Sequence, residues 1–399
     1  MKKYVIIGNG CAGATALSQI RRKDKEGSIV VFTRESHPFY YRPRLPEYLT
    51  GEMGIGDFTM QTLSQYKEWG VDIRFGESVI AVDAGIREVT GDKQGVVRYD
   101  ELLLASGANC FLPPVKGNDK KGVFTLRTVE DADALAAAAG KAKNAILVGG
   151  GLLGLEAGRA LVKLGLKVDV VEFMDRLLPR QLDHQGAALL QKQLEGMGFA
   201  FHLSAKAQEV SGDDGATGLD LEGGKHLEGG IVLFSAGVRP NLELARLAGV
   251  ACDKAVKVDG YMMTSVPGIW AAGDATEFNG QPSGLWPVAL AQGKAAGLSM
   301  AGELTAYVPQ ASGTSLKVLG IDLVSSGNID AEKALPSKCF ANGSVYRKVV
   351  LEGDVIKGII FLGSTAGAND CIDAMNKGKH LGPLAGELDR EGFDFSRLR

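Results

Sequence analysis

An α/β fold, with two nested parallel-sheet domains and a small α+β domain after them, is predicted by three observations. Residues 4–13 read YVIIGNGCAG, an apolar run that meets glycines at Gly8, Gly10 and Gly13. Residues 145–154 read AILVGGGLLG and repeat the device at Gly149, Gly151 and Gly154. Residues 309–399 have a different texture, with a hairpin-like run and a closing helix. In each glycine run the first glycine permits a tight strand-to-helix turn. The second lets backbone amides approach a pyrophosphate, and the third lets the helix pack close to the sheet. The helix N-terminus then offers unpaired N–H groups and partial positive charge to phosphates. One such run is a weak signal. Two, each after a β-like strand and each followed by an acid, predict two Rossmann-like domains that hold two dinucleotides.

The elements follow in order. Residues 3–7 read as a buried parallel strand, 12–22 as the helix behind it, and IVVF at 29–32 as the second strand. A loop rich in aromatics, Pro and Arg comes next, ESHPFYYRPRLPEYLTG at 35–51. Residues 71–83 alternate like two short strands, and DELLLASGA at 100–108 is a buried strand ending in small residues. Residues 144–172 form a second βαβ unit: NAILV, a helix from about Leu152, then KVDVVE. A helix is expected at 185–198, a strand running into a loop at 231–241, and another strand at 266–276. Pro287 suits the first turn of an Ala-rich helix that runs from Trp286 to about residue 302. YRKVVLEGDVIKGIIFLG at 346–363 predicts a hairpin, and AGANDCIDAMNKGK a closing helix. The resulting plan places the first dinucleotide domain at 1–112 and 238–308, the inserted second one at 113–237, and the α+β domain at 309–399.

Composition narrows the function classes. With 399 residues, 45% hydrophobic and 23% charged, the chain is an ordinary globular sequence with room for two or three cores. A formal net charge of −3 argues against wholesale binding of nucleic acid or anionic membrane. No leader and no bilayer-length apolar segment is visible, so a cytoplasmic protein without a membrane span is expected. The five cysteines, Cys11, Cys110, Cys252, Cys339 and Cys371, form no C-x-x-C spacing, which speaks against an internal iron–sulfur or zinc site. The five histidines are scattered and read as solvated or capping residues.

The ordered set GNGCAG, HPFYYRPRL, LLASGA, LRTVEDA, GGGLLGLE, VVEFMDRLLPRQLD, GVRPN and TSVPGIWAAGDAT covers most of residues 1–310. On these motifs the chain resembles the FAD-dependent pyridine nucleotide–disulfide oxidoreductase superfamily. Within it, the chain is most similar to NADH:rubredoxin reductases and to the flavin portion of NADH-dependent nitrite reductases. The resemblance assigns the first fingerprint to FAD. It implies Gly8, Gly10, Cys11, Ala12 and Gly13 at the pyrophosphate, with Val79 and Ala81 flanking the adenine through backbone groups. Thr33 occupies the usual acidic place at the adenosine ribose, so Glu35, two residues on, is the implied acid. Ser106 and Gly107 would pass close to the flavin, and Gly273 and Asp274 would meet its ribityl–phosphate region. Arg42 and Pro43, from the loop, and Trp286, at the start of a helix aimed at the pyrimidine edge, complete that side. Arg44 reads better as a solvated arginine.

The second fingerprint falls to NAD(H), with Gly149, Gly151, Leu153, Gly154 and Gly237 around it. Glu172, 18 residues after Gly154, would accept bonds from the ribose hydroxyls and repel a 2′-phosphate, which favours NADH over NADPH. Arg176 nearby is expected to weaken that discrimination. Glu156 would face the nicotinamide–flavin junction, where some relatives pair it with a lysine; here that position is Glu47, and an arginine is expected to take the lysine's role. Arg42 and Glu156 are therefore the catalytic candidates.

Relatives that reduce disulfides, peroxide or coenzyme A disulfides carry one or two cysteines soon after the second strand. This chain has no cysteine between Cys11 and Cys110, and offers Tyr41, Arg42, Pro43, Arg44 and Leu45 in the loop. The resemblance then implies thiol-free transfer from NADH through FAD to a small one-electron carrier, rubredoxin or another iron–sulfur protein. A flavin subunit of a larger iron–sulfur enzyme, an NADH oxidase and a redox sensor with negligible turnover stay open as alternatives. Oligomer contacts, where they exist, are expected on the C-terminal domain.

Overall fold

The computed structural model describes residues 1–282, 284–309, 314–318, 320–330 and 334–399, with 314–318 given by backbone alone. The first sheet has five parallel strands in the order Ile269–Ala271, Glu101–Leu104, Lys3–Ile7, Ser28–Thr33 and Val71–Phe75. Both faces are covered, which is why these strands read as nearly continuous apolar runs. Tyr4 and Ile6 face the helices Cys11–Lys23 and Trp286–Met300. Val5 and Ile7 face Val82 and Val89, from an antiparallel sheet of Val79–Asp83, Glu88–Gly91 and Val96–Arg98.

The second sheet repeats the plan. Its parallel strands run Phe199–His202, Lys167–Val171, Asn144–Val148, Ile231–Phe234 and Val123–Phe124. Leu147 packs toward Leu155 and Leu161 of the helix Leu152–Lys163, while Ile146 and Val148 pack toward Val210, Leu219 and Leu227 of a second three-stranded sheet. The two sheets are joined by a pair of antiparallel crossing strands, Ala108–Cys110 and Val238–Pro240. The loop expected after Phe234 is thus partly strand, because the two crossings satisfy each other's backbone groups.

Two features position the first fingerprint. Helix Trp286–Met300 lies backbone-on-backbone against Cys11–Lys23: a Cβ on Gly293 would stand 2.4 Å from the Ala12 carbonyl oxygen, and one on Gly297 2.6 Å from that of Ala16. The segment expected as an irregular loop at 35–51 contains a 3-10 turn, Arg42–Arg44, and a short helix, Leu45–Leu49, each with proline in its first turn. The second domain clasps it. Tyr48 donates to Asp133 at 2.8 Å, and Lys163 meets Glu52 at 2.5 Å.

The C-terminal strands form an antiparallel sheet in the order Thr314–Val318, Ile321–Gly327, Val355–Leu362, Val345–Glu352 and Ser337–Asn342. Helix Ala368–Asn376 covers one face. From the other, Leu323, Tyr346, Ile360 and Leu362 join the core of the second domain.

Candidate active site

The two fingerprints fold alike. The Gly8 N–H bonds the Phe32 carbonyl at 2.8 Å and that of Gly149 bonds Val171 at 2.9 Å, so both turns hang on the same step of the neighbouring strand. A Cβ on Gly13 would lie 1.9 Å from the Gly8 oxygen, and one on Gly154 2.6 Å from the Gly149 oxygen. These glycines are required by close packing of helix on loop. A Cβ on Gly10 or Gly151 would meet nothing within 4 Å. Gly10 and Gly151 are the N-caps of their helices, with no side chain bonded over the end and no acid in the first turn. Each helix end therefore leaves its N–H groups and positive dipole end to an anion, and each fits a pyrophosphate. Ala12 and Cys11 are buried behind the first loop, with the Cys11 thiol 3.6 Å from the Trp286 oxygen, while Leu153 is exposed beyond the second.

The shared register sets Thr33 and Glu172 at equivalent positions, one residue past Phe32 and Val171. Glu172 turns back on its glycine loop, accepting from Gly150 N at 2.6 Å and Met174 N at 2.8 Å. Glu35 does otherwise. It pairs with Arg42 at 2.5 Å and accepts from the Tyr40 hydroxyl. Two residues past the strand end, the chain has already turned toward the 39–44 segment. Burial opposes the charge of Arg42, but Glu35 and Tyr40 raise its pKa.

Arg127 pairs with Asp274 at 2.9 Å, across the two domains. Gly107 is the next neighbour, since its Cβ would lie 3.7 Å from the Arg127 guanidinium. Ser106 is tied to the second crossing: Asn241 Nδ2 donates to the Ser106 carbonyl at 2.8 Å. Gly273 has φ +82 and donates to Gln292 Oε1 at 2.8 Å, and Gln292 also takes the Thr276 hydroxyl at 2.9 Å. Trp286 starts its helix stacked on Phe39 (5.8 Å) and edge-on to Tyr41 (4.8 Å), which brings the segment holding Arg42 and Pro43 over the helix end. Gly237, at φ +92, accepts from Phe111 N at 2.9 Å beside the crossing strands. Glu156 is half-buried on the helix that follows Gly151. Val79 and Ala81 lie on the antiparallel sheet, opposite Gly91 and Thr90, and the turn that leads into their strand bonds the end of the second strand, Glu77 N donating to the Thr33 carbonyl at 3.0 Å.

Residues 2–293 match the family model described as pyridine nucleotide-disulphide oxidoreductase. The chain belongs to that family. Residues 313–379 match the rubredoxin NAD+ reductase C-terminal domain. This oxidoreductase is similar to a nitrite reductase NAD(P)H of Bacillus subtilis (strain 168), 36% identical over 380 residues, 94% of this chain and 47% of that protein. It is similar to an NADH oxidase of Methanocaldococcus jannaschii, 36% identical over 82% of this chain and 76% of that protein. Among solved structures it resembles NADH:rubredoxin oxidoreductase of Clostridium acetobutylicum, with TM-score 0.83, 26% identity, and 96% and 97% of the two chains covered. The chain spans about half the length of the nitrite reductase it matches. The cofactors of this family member are FAD and NAD(H).

Several features of this oxidoreductase escaped sequence reasoning. Arg127 lies inside the LRTVEDA motif, yet nothing local says that it reaches Asp274. Gln292, 1% exposed in an Ala-rich helix, was signalled by its composition alone. Arg176, expected to soften the choice of nucleotide, is 8% exposed and turned inward onto the Leu182 and Pro179 carbonyls and Asp175. Glu47 pairs with Arg44, three residues before it, at 3.0 Å. Each histidine lies within 4 Å of a carboxylate, as His202 does of Asp169 at 2.6 Å, and His184, His226 and His380 are at the same time exposed. No group of three His, Cys, Asp or Glu among the described residues is placed to hold a metal, and no helix among them is long and apolar enough to cross a membrane. Burial, helped by Asp274, pushes the Cys11 thiol up to about 12, and burial raises that of Cys110.

Proposed function

We propose that this oxidoreductase takes reducing equivalents from NADH at the second fingerprint and delivers them, by way of FAD at the first, to a small iron–sulfur carrier such as rubredoxin. The observation that carries this reading is the chemistry of the site's thiols. No cysteine lies between Cys11 and Cys110, and both of those are held as neutral thiols. A thiol relay needs a thiolate. What the flavin supplies when bound is the ability to take a hydride and release electrons singly.

The chain's own residues have defined tasks on this reading. The amides at Gly10 and Gly151 hold the pyrophosphates, and Glu172 accepts the ribose hydroxyls of NADH. Arg42 and Arg127 bring two guanidinium groups to the flavin side, where Glu35 and Asp274 orient them. Glu156 orients the nicotinamide without donating a proton, since hydride transfer requires none. The divisions at 112/113, 237/238 and 308/309 go with this reading as its domain plan. The likeness to NADH:rubredoxin oxidoreductase over nearly the full length of both chains, together with the C-terminal match, supports it.

A second reading, direct reduction of oxygen, is favoured by the likeness to an NADH oxidase. The FAD-loaded protein should oxidise NADH slowly in air, and much faster in anaerobic solution with rubredoxin or a two-iron ferredoxin. Equal rates with and without every carrier, matched by oxygen uptake, would reverse the choice.

A further inference from the structure

A buried polar cluster joins the C-terminal sheet to the second dinucleotide domain. Asp183, 2% exposed, caps the helix His184–Glu195 by accepting from Gly186 N at 3.0 Å. Its other oxygen accepts from the Tyr346 hydroxyl at 2.8 Å and lies 3.3 Å from the Lys348 ammonium. Tyr346 and Lys348 are each 1% exposed, and Lys348 is tied on its far side to the Asp330 carbonyl at 2.8 Å. A buried ion pair adds little net stability over an apolar contact of the same shape, but it fixes a direction.

That direction leads to the nucleotide loop. Segment 173–183 follows directly on Glu172 and ends at Asp183. Leu177, Leu178 and Leu182 are buried along it, and Arg176 is folded onto the Leu182 carbonyl. Leu178 has φ +49, a left-handed conformation that persists only where surroundings impose it. Its carbonyl accepts from Gln181 N and Leu182 N at 2.8 Å each, and its own N–H points to the Gly150 carbonyl at 3.4 Å. Gly150 in turn donates to Glu172. A continuous path of contacts therefore runs from Tyr346 and Lys348, through Asp183 and the strained turn, to the glycine loop and its acid.

We propose that Tyr346 and Lys348 are positioning residues for the nicotinamide nucleotide: by holding Asp183 they hold segment 173–183 in the shape that receives the adenosine half of NADH. The inference rests on the reading that NADH occupies the second fingerprint. Tyr346→Phe removes one bond to Asp183 and keeps the ring. In the FAD-loaded protein it should raise the NADH dissociation constant about fivefold. The rate of flavin reduction at saturating NADH should stay unchanged. So should all kinetics with reduced nicotinamide mononucleotide, which lacks the adenosine half. Asp183→Asn, which keeps the helix cap, should shift NADH in the same direction. Unchanged NADH affinity in both variants, or an equal loss with NADH and the mononucleotide, overturns the proposal. Glu172→Ala separates the two levels. If it leaves NADH affinity untouched, the reading of the second fingerprint fails and takes the proposal with it. If it weakens NADH while Tyr346→Phe does not, the positioning role alone fails.

Discussion

Glu172 and Thr33 stand at the same step of two copies of one turn, and the difference between them shows how much a single side chain decides. Glu172 lies on its glycine loop, and under the proposed function it accepts ribose hydroxyls and repels a 2′-phosphate. Arg176 is buried and bonded to the Leu182 carbonyl, so the same reading gives it no part in the choice of nucleotide. Glu172→Ala should slow flavin reduction at low NADH by about tenfold, the scale of one charge-assisted hydrogen bond, and NADPH by less. Stopped-flow bleaching of the flavin with each nucleotide measures the ratio. A wild-type protein that NADPH reduces as fast as NADH would refute the assignment. Residues set by local pattern were legible in the sequence: the fingerprint glycines, Glu172 and the missing acid at Thr33. Arg127 with Asp274 was not, because those partners lie 147 residues apart and no periodicity links them. Glu35 followed the spacing of the motif, but the structure commits it to Arg42 and Tyr40.

Long, strongly patterned elements were also legible. The strands of the first sheet, the three central strands of the second and the helices behind both glycine loops fall where apolar runs and glycines place them, whereas the edge strands Val123–Phe124 and Phe199–His202 carry no such pattern. The short helix Leu45–Leu49 was hidden, since five residues are too few for a helical period and proline and aromatics suggest a loop. The two kinds of glycine in the first fingerprint predict opposite outcomes for the same substitution. Gly13→Ala drives a methyl into the Gly8 carbonyl at 1.9 Å, so the helix must shift or the turn must open. It should lower stability by about 1–3 kcal/mol even without cofactor. Gly10→Ala meets open space, so the apoprotein should unfold at the same denaturant concentration as wild type while FAD content falls. Denaturation midpoints of both apoproteins, beside the flavin absorbance of both as purified, test the pair. A normal flavin content in Gly10→Ala would remove that helix end from the site.

For the whole molecule, the nesting of two dinucleotide domains was visible from the order of the motifs. The seating of the C-terminal sheet on the second domain was not, because Tyr346 and Asp183 meet across 163 residues of chain. Stability at high pH belongs to this scale. Burial pushes the Cys371 thiol from 9.0 up to about 12. The folded chain thus keeps a proton that the unfolded chain gives up. This contribution to stability is whole below pH 9.0 and is lost as pH rises toward about 12. Denaturation midpoints should fall over that window, and Cys371→Ala should flatten the fall; parallel curves for the two proteins would discount the thiol. The order of strands in the first sheet has a last consequence, for synthesis. Its edge strand Ile269–Ala271 is made after every strand of the second sheet, which closes at Ile231–Phe234. As the chain leaves the ribosome, the inserted unit can finish its sheet while its host still lacks an edge and the helix Trp286–Met300. The host's exposed face must wait through that interval, so a chaperone or the ribosome surface has its best hold on this protein between those two points.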